Sequence, residues 1–314
     1  MKNKHWEKGG LILKVSGEYG WMNTHAQVPT PILLGEKIRI YFSTRTIQTE
    51  SKTTFVDVDA KNPKKILYLH DRAIIANGSA GTFDEHGVMP SAIKKDKNNN
   101  FLLYYSGWSR RNSVPYSNLT GLAISKDGIN FKKMFDGPIL STNRYEPYSA
   151  TSPCLITKEK EFYLFYCSGC SWEKINNKYE HTYDIKLAKS QDGIVWFQDG
   201  KTRIKKNYEL EAITRPTVLE LNNEYHMYFC CRGSEDFRNG LNAYRIGYAY
   251  SKDLISWERN DKKSGINIGS DSWENKMIAY PSILKTPYGI YMFYNGNGFG
   301  YEGFGFAKLS DYEI

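Results

Sequence analysis

A phrase that occurs five times constrains what this chain can fold into. Each copy contains a proline, then a small residue, then an apolar run. The copies lie at residues 28–32, 89–93, 152–156, 215–219 and 280–284. Their prolines, Pro29, Pro90, Pro153, Pro216 and Pro281, are 61, 63, 63 and 65 residues apart. A nearly fixed period of this kind is typical of a solenoid, a propeller or an array of units.

Each repeat is predicted to form four short strands joined by turns. In the second repeat these strands start at residues 90, 101, 121 and 130, and the turns between them are polar. Asp127-Gly128 and Asp192-Gly193 supply the positive φ that tight hairpins need. Aromatic residues make up 15% of the chain, which suits strands. The sequence therefore predicts an all-β fold, a five-bladed β-propeller.

The fifth repeat ends before its outer strand, and the opposite end of the chain supplies a match. Trp6-Glu7 and the residues after it resemble Trp257-Glu258 of the fourth repeat. The N-terminal strand is therefore predicted to complete the last blade and close the ring, which protects sheet edges. We expect one domain over 1–314, with blades at approximately 25–75, 86–140, 149–205, 212–268, and 277–309 plus 5–15.

Charge and composition narrow the range of partners. The net charge is +8, but the basic residues are scattered, so no nucleic-acid tail is indicated and an anionic substrate is favoured only weakly. No apolar run is long enough for a membrane span, and residues 1–10 lack a secretory apolar region. Five cysteines form an odd set, which argues against a disulfide framework and favours a cytoplasmic location. The oligomeric state is not indicated.

Metal and cofactor motifs are weak. Cys167 and Cys170 form a lone pair, and Cys230 and Cys231 are adjacent on a predicted strand, where neighbouring side chains point to opposite faces. The glycine-rich stretch 295–305 precedes no helix, which a dinucleotide-binding loop would need. We expect no metal and no cofactor.

Two sets of loops are predicted to form one funnel. The segments that enter the first strand of each blade and the loops between its second and third strands lie on the same face. Acids precede four of the five repeated prolines, and two carboxylates flanking a bond are what glycoside hydrolysis needs. Glu211 is the predicted general acid, with Asp84 or Glu274 as base or nucleophile. The alternative is that these carboxylates cap turns or pair with lysine and arginine.

Other funnel residues are predicted to bind the substrate, because tryptophan faces stack on sugars and arginine holds carboxylate or phosphate. They are His25, Gln27, Arg45, His86, Trp108, Glu146, Trp172, Arg215, Arg232 and Asn295.

On these repeats and funnel residues, the whole chain resembles the five-bladed propeller superfamily of glycosidases. That superfamily includes the arabinanase and xylosidase, invertase, and mannoside phosphorylase types. The chain most resembles uncharacterised bacterial propeller proteins of surface-polysaccharide gene clusters. The resemblance implies a carbohydrate-active protein.

The sequence departs from two of these types at their catalytic positions. The arabinanase type has acids just before the first three prolines, where this chain has Gln27-Val28, Val88-Met89 and Thr151-Ser152. The invertase type has an aspartate after Trp-Met-Asn, where this chain has Thr24. The resemblance and these departures together leave three alternative functions. The protein is a glycoside hydrolase-like enzyme that uses other acids, a non-catalytic glycan-binding propeller, or a phosphorylase that holds phosphate with Arg45, Arg215 or Arg232.

Overall fold

The computed structural model describes residues 5–238 and 240–310. Within these residues it has twenty strands, one 3₁₀ turn at Asp261–Lys263 and one four-residue helix, α1, at Asn297–Gly300. The prediction of an all-β fold is confirmed. No helix in this part of the chain is both long and apolar enough to cross a membrane.

The strands follow the repeats. They are β1 (Trp6–Leu13); β2 (Thr24–Leu34), β3 (Lys37–Arg45), β4 (Ser51–Asp59) and β5 (Ile66–Leu69); β6 (Gly87–Lys95), β7 (Phe101–Arg110), β8 (Tyr116–Ser125) and β9 (Lys132–Lys133); β10 (Ala150–Lys158), β11 (Glu161–Ile175), β12 (Lys178–Ser190) and β13 (Phe197–Ile204); β14 (Ala212–Leu221), β15 (Glu224–Arg232), β16 (Arg245–Ser251) and β17 (Glu258–Arg259); and β18 (Ala279–Thr286), β19 (Gly289–Asn295) and β20 (Phe304–Leu309).

Each repeat forms an antiparallel meander of consecutive strands. The last repeat has only three strands of its own, and β1 pairs with β20 as its fourth, with Trp6 opposite Leu309 and Leu13 opposite Phe304. The predicted pairing of the N-terminal strand with the last sheet is therefore present. Single parallel bridges, Ser51 with Gly87 and Leu119 with Ala150, join the meanders of the first three repeats into one twelve-stranded sheet. Below, the meander of each repeat is called its sheet.

The first strands of the five repeats contact one another in turn. β2 contacts β6, β6 contacts β10, β10 contacts β14, β14 contacts β18, and β18 contacts β2. A cavity of about 120 Å³ is lined by all five of these strands. Arg215 projects into this region, where its guanidinium donates to Thr30 Oγ1 at 2.8 Å and to the Pro29 carbonyl at 3.3 Å.

The apolar core lies between adjacent sheets. Trp6 and Met292 of the last sheet pack with Tyr228 of the fourth, while Phe165 of the third packs with Met227 of the fourth. Burying a large apolar side chain contributes about 1.5–3 kcal/mol, so each interface between sheets stabilises the arrangement. The predicted Asp-Gly turns add a polar contact: Tyr104 donates to the Gly193 carbonyl at 2.9 Å.

Candidate functional site

A pocket of about 320 Å³ opens where the first strands of the sheets begin. Its walls come from these strand starts, from the ends of second strands and from the starts of third strands. The lining residues are Gln27, Val28, Arg45, Thr49, Ser51, Met89, Trp108, Tyr116, Asn118, Ser149, Thr151, Ser152, Cys167, His181, Tyr183, Thr214, Tyr244 and Tyr280. The two loop sets that were predicted to form a funnel therefore meet at this pocket.

The residue before a repeated proline has an unusual backbone conformation in four repeats. Val28, Ser152, Arg215 and Tyr280 have φ between 51° and 55°. The strand register shifts beside each of them, which marks a β-bulge. Left-handed backbone is rare for residues other than glycine, above all for a β-branched valine. Three of the four, all except Arg215, line the pocket, and backbone strain of this kind clusters at functional sites.

Four buried polar atoms of the pocket wall make no hydrogen bond within the described part of the chain. They are Asn118 Oδ1, Ser149 Oγ, Thr151 Oγ1 and His181 Nε2. Buried polar atoms are nearly always hydrogen-bonded, and leaving one unsatisfied costs about 1–3 kcal/mol. A cluster of such atoms at one pocket indicates a place for a polar ligand or water.

Aromatic rings enclose His181. Trp172 stacks on the imidazole with ring centroids 4.1 Å apart, and Tyr183 meets it edge-on at 5.2 Å. Burial, followed by the charge of Arg232, lowers the pKa of His181 to about 3. The imidazole is therefore neutral at physiological pH and can act as a hydrogen-bond donor or acceptor.

Arg45 is a cation in the pocket wall that has no acidic partner in the described part of the chain. Its Nε donates to Gln27 Oε1 at 3.1 Å. Among the described residues, no carboxylate lies within ion-pair distance of its guanidinium. Burial lowers the pKa of Arg45. An arginine in this setting is suited to an anionic group of a ligand.

Comparison with known proteins places the chain in a family. No protein-family model matches it. An uncharacterized protein of Mycobacterium tuberculosis is 33% identical over 308 residues, which span 98% of this chain and 99% of that protein. The chain belongs to the same family as this mycobacterial protein.

A more distant relative has a named activity, and a solved structure shares the fold. A 1,2-beta-oligomannan phosphorylase of Thermoanaerobacter is 23% identical over 236 residues, covering 74% of this chain and 71% of the phosphorylase. The crystal structure of a glycosyl hydrolase from Bacteroides ovatus has a TM-score of 0.74 and 12% identity, with 97% of this chain and 93% of that chain covered. This second likeness shows a shared fold, the β-propeller of glycoside hydrolases.

In this member of the family, the predicted catalytic acids lie in internal ion pairs. Asp84 accepts from Lys133 at 2.6 Å and from the Tyr105 hydroxyl at 3.0 Å. Glu274 likewise accepts from Lys8 at 2.6 Å and from the Tyr294 hydroxyl at 2.8 Å.

The other two acids of the funnel prediction have equivalent partners. Glu211 pairs with Arg259 at 2.6 Å. Glu146 accepts from the Tyr166 hydroxyl at 2.7 Å and pairs with Lys186 at 3.3 Å.

These four carboxylates share one structural position. Each precedes the first strand of its sheet, is at most 3% exposed, and meets a cation from a later strand or, for Glu274, from β1. The lining of the pocket includes no aspartate or glutamate among the described residues. Asp84, Glu211 and Glu274 are therefore not among the lining residues, and their oxygens face cations inside their own sheets. Their catalytic role stays a prediction.

The predicted binding residues divide into three groups. Gln27, Arg45 and Trp108 line the pocket. Trp172 and Arg232 support lining residues from behind: Trp172 stacks on His181, and Arg232 donates to the His181 carbonyl at 3.0 Å.

The third group lies outside the lining. His25 contacts Tyr301, His86 lies beside Trp108, and Glu146 is ion-paired. Arg215 donates to Thr30, and Asn295 hydrogen-bonds to the backbone at Val28 and Ala26. For these five the structure shows scaffold contacts, because each side chain is directed at protein atoms.

Sequence reasoning did not select several lining residues, above all His181, Ser149, Tyr116 and Tyr280. His181 lies on β12, which forms with the 15-residue β11 a hairpin longer than those of the other repeats. Tyr280 could have been found by comparing the residues before the repeated prolines, since that position faces the pocket in three other repeats as well.

Among the described residues, Glu211, Cys231 and Asp261 have ligand atoms close enough for a metal ion, within 4.8 Å of one another. Arg259 already donates to both carboxylates. Because the guanidinium supplies the positive charge, these residues do not fit a metal ion.

Proposed function

We propose that this protein is a carbohydrate-binding, five-bladed β-propeller whose ligand occupies the 320 Å³ pocket. The successive contacts of the five first strands, including that of β18 with β2, support five blades. The pairing of β1 with β20 supports a ring closed within one domain over 1–314.

The observation that carries this proposal is the set of unpartnered atoms on Asn118, Ser149, Thr151 and His181. Sugar hydroxyls donate and accept, so they can satisfy an amide oxygen, two hydroxyls and an imidazole together. The aromatic rings of Trp108 and Tyr116 in the same wall offer faces for a sugar ring. The oligomannan phosphorylase activity of one relative supports the same ligand class.

Binding fits the geometry better than hydrolysis by a carboxylate pair. Such hydrolysis needs two carboxyl groups about 5–9.5 Å apart across the scissile bond. The pocket wall supplies none among the described residues, and Asp84, Glu211 and Glu274 are held by Lys133, Arg259 and Lys8. The acid assignment, the cytoplasmic location and the polysaccharide gene-cluster context stay predictions from the sequence.

Calorimetric titration with β-1,2-mannobiose, α-1,5-arabinobiose, xylobiose and sucrose tests the proposal. We expect at least one of these sugars to bind, and Asn118→Ala to weaken its binding. Ser234→Ala is the control, since Ser234 is buried but donates to the Leu210 carbonyl. Absence of binding across these sugars would overturn the proposal. Turnover that Glu211→Gln, Asp84→Asn or Glu274→Gln abolishes in a folded protein would favour the hydrolase instead.

Arg45 favours a second candidate, a protein that takes a glycosyl phosphate or uses phosphate to cleave a glycan. A half-buried cation without an acidic partner among the described residues is suited to phosphate. Titration with inorganic phosphate and with mannose 1-phosphate should show binding that Arg45→Gln removes and that the exposed control Arg111→Gln retains. Product analysis with and without phosphate distinguishes phosphorolysis from hydrolysis.

A further inference from the structure

The junction between the second and third sheets holds the four unpartnered atoms together. Thr151 lies on β10 and Ser149 immediately precedes that strand, so the two side chains, two residues apart, point to one face. Leu119, next to Asn118, pairs with Ala150 across the junction. His181 lies on β12, whose partner β11 pairs with β10.

Gly169 on β11 controls the space between two of these atoms. A Cβ at this position would lie 2.5 Å from His181 Nε2 and 2.6 Å from Ser149 Oγ. Because both atoms lie so near one point, they are no more than about 5 Å apart, and a single oxygen at hydrogen-bond distance can reach both. A side chain at 169 would crowd both atoms.

The chemistry of the site identifies the kind of oxygen. Ser149 and His181 are 2% and 3% exposed, and the imidazole is neutral because burial and Arg232 disfavour its charged form. A neutral imidazole nitrogen and a serine hydroxyl can each donate or accept, which matches an uncharged hydroxyl. A carboxylate or phosphate oxygen matches the Arg45 side of the pocket instead.

We propose that Ser149 Oγ and His181 Nε2 form a subsite that binds one uncharged hydroxyl of the sugar, and that Gly169 is the residue that keeps this subsite open. Asn118 Oδ1 and Thr151 Oγ1 bind neighbouring hydroxyls of the same ring. Ser149 and His181 are thus specificity-determining residues for a hydroxylated, uncharged ring. This inference rests on the proposed function, since it names the part of a carbohydrate that the pocket recognises.

The experiment uses the tightest-binding sugar of the four named above, together with its monodeoxy derivatives. One derivative should bind the wild-type protein about three- to tenfold more weakly than the parent sugar, as expected for the loss of one neutral hydrogen bond. The preference for the parent over this derivative should be smaller in Ser149→Ala and in His181→Gln than in the wild type, and it should disappear when both residues are replaced. Gly169→Ala should lower the affinity for the parent sugar at least tenfold.

Matched controls separate loss of the subsite from loss of the fold. Ser234→Ala and His226→Gln replace buried residues outside the pocket lining and should retain the preference of the wild type for the parent sugar. The ¹⁵N resonance of His181 Nε2 in the wild type should shift on addition of the parent sugar and stay in place with the derivative. This readout needs no substitution.

The outcomes distinguish the two proposals. If none of the four sugars binds, the carbohydrate proposal and this subsite both fail. A second outcome is that a sugar binds while each monodeoxy derivative loses the same affinity, relative to the parent, in the wild type as in Ser149→Ala and His181→Gln. In that case only the subsite is overturned. Unchanged affinity in a folded Gly169→Ala protein would also overturn it.

Discussion

Arg259 donates from both terminal nitrogens to Glu211, with Nη2–Oε1 at 2.6 Å and Nη1–Oε2 at 2.8 Å. This fork joins the segment before β14 to β17, the last strand of the same sheet. Asp84 with Lys133 on β9 and Glu274 with Lys8 on β1 make the same connection in two other sheets. Each of these ion pairs connects the segment before the first strand of a sheet to the last strand of that sheet.

Replacing Glu211 by glutamine should destabilise the fold without weakening sugar binding. Arg259 keeps its contact with Asp261, so we expect a loss of about 1–3 kcal/mol in the free energy of unfolding. Urea denaturation measures the loss, and calorimetry measures the affinity. The exposed Glu209→Gln should change neither quantity. A stable Glu211→Gln protein that has lost turnover would restore the catalytic assignment.

The sequence predicts the strand pattern well because each repeat carries its own turn and strand signals. The match of Trp6 with Trp257 was enough to predict where β1 pairs. The partners of the acids could not be predicted, because Lys133 and Lys8 lie far along the chain from Asp84 and Glu274 and only the pairing of strands brings them close.

The pocket was predictable only in part. Gln27, Arg45 and Trp108 were selected because they lie near strand ends at the funnel. Ser149 and His181 were missed for different reasons. Ser149 is a small polar residue of a common type. His181 enters the pocket because of the extended β11–β12 hairpin and the glycine at 169, and neither has a sequence signature.

Trp6 should be essential for the stability of the last sheet. It is 2% exposed and meets Tyr228 of the fourth sheet edge-on, with ring centroids 5.5 Å apart. We expect Trp6→Ala to cost about 3–5 kcal/mol, as large-to-small core substitutions do. Phe197→Ala is the control, since Phe197 is 72% exposed. Equal urea midpoints for these two variants would contradict the packing of β1 against the core.

Glycine should be tolerated unusually well at Ser152. Its φ of 51° is strained for serine, and glycine adopts this conformation without that strain. We expect Ser152→Gly to leave stability unchanged or to raise it by about 1 kcal/mol. Ser117 on β8 is the matched control, because it is also half-buried but lacks positive φ, and Ser117→Gly should cost about 0.5–1 kcal/mol. The melting temperature of Ser152→Gly should be higher than that of Ser117→Gly, and the reverse order would contradict the prediction.

Acid should destabilise the protein partly through His181. Its pKa is lowered to about 3 by burial and by Arg232, from an ordinary value of 6.5. Between these values the unfolded chain binds more protons, so this contribution is fully present above pH 6.5 and is lost as the pH falls towards 3. At about 1.4 kcal/mol per pKa unit, the loss by pH 4.5 is about 3 kcal/mol.

The variant His181→Gln removes this titration while it keeps a polar side chain. Its free energy of unfolding should therefore fall less steeply than that of the wild type as the pH is lowered from 6.5 to 4.5. Between pH 7 and pH 8 position 181 should contribute no pH dependence in either protein. Urea unfolding at each pH measures the two slopes. We expect the slopes to differ because Trp172 and Tyr183 enclose the imidazole of His181 in the folded chain. Parallel curves would contradict this prediction, because they would show that His181 titrates alike in the folded and unfolded chains.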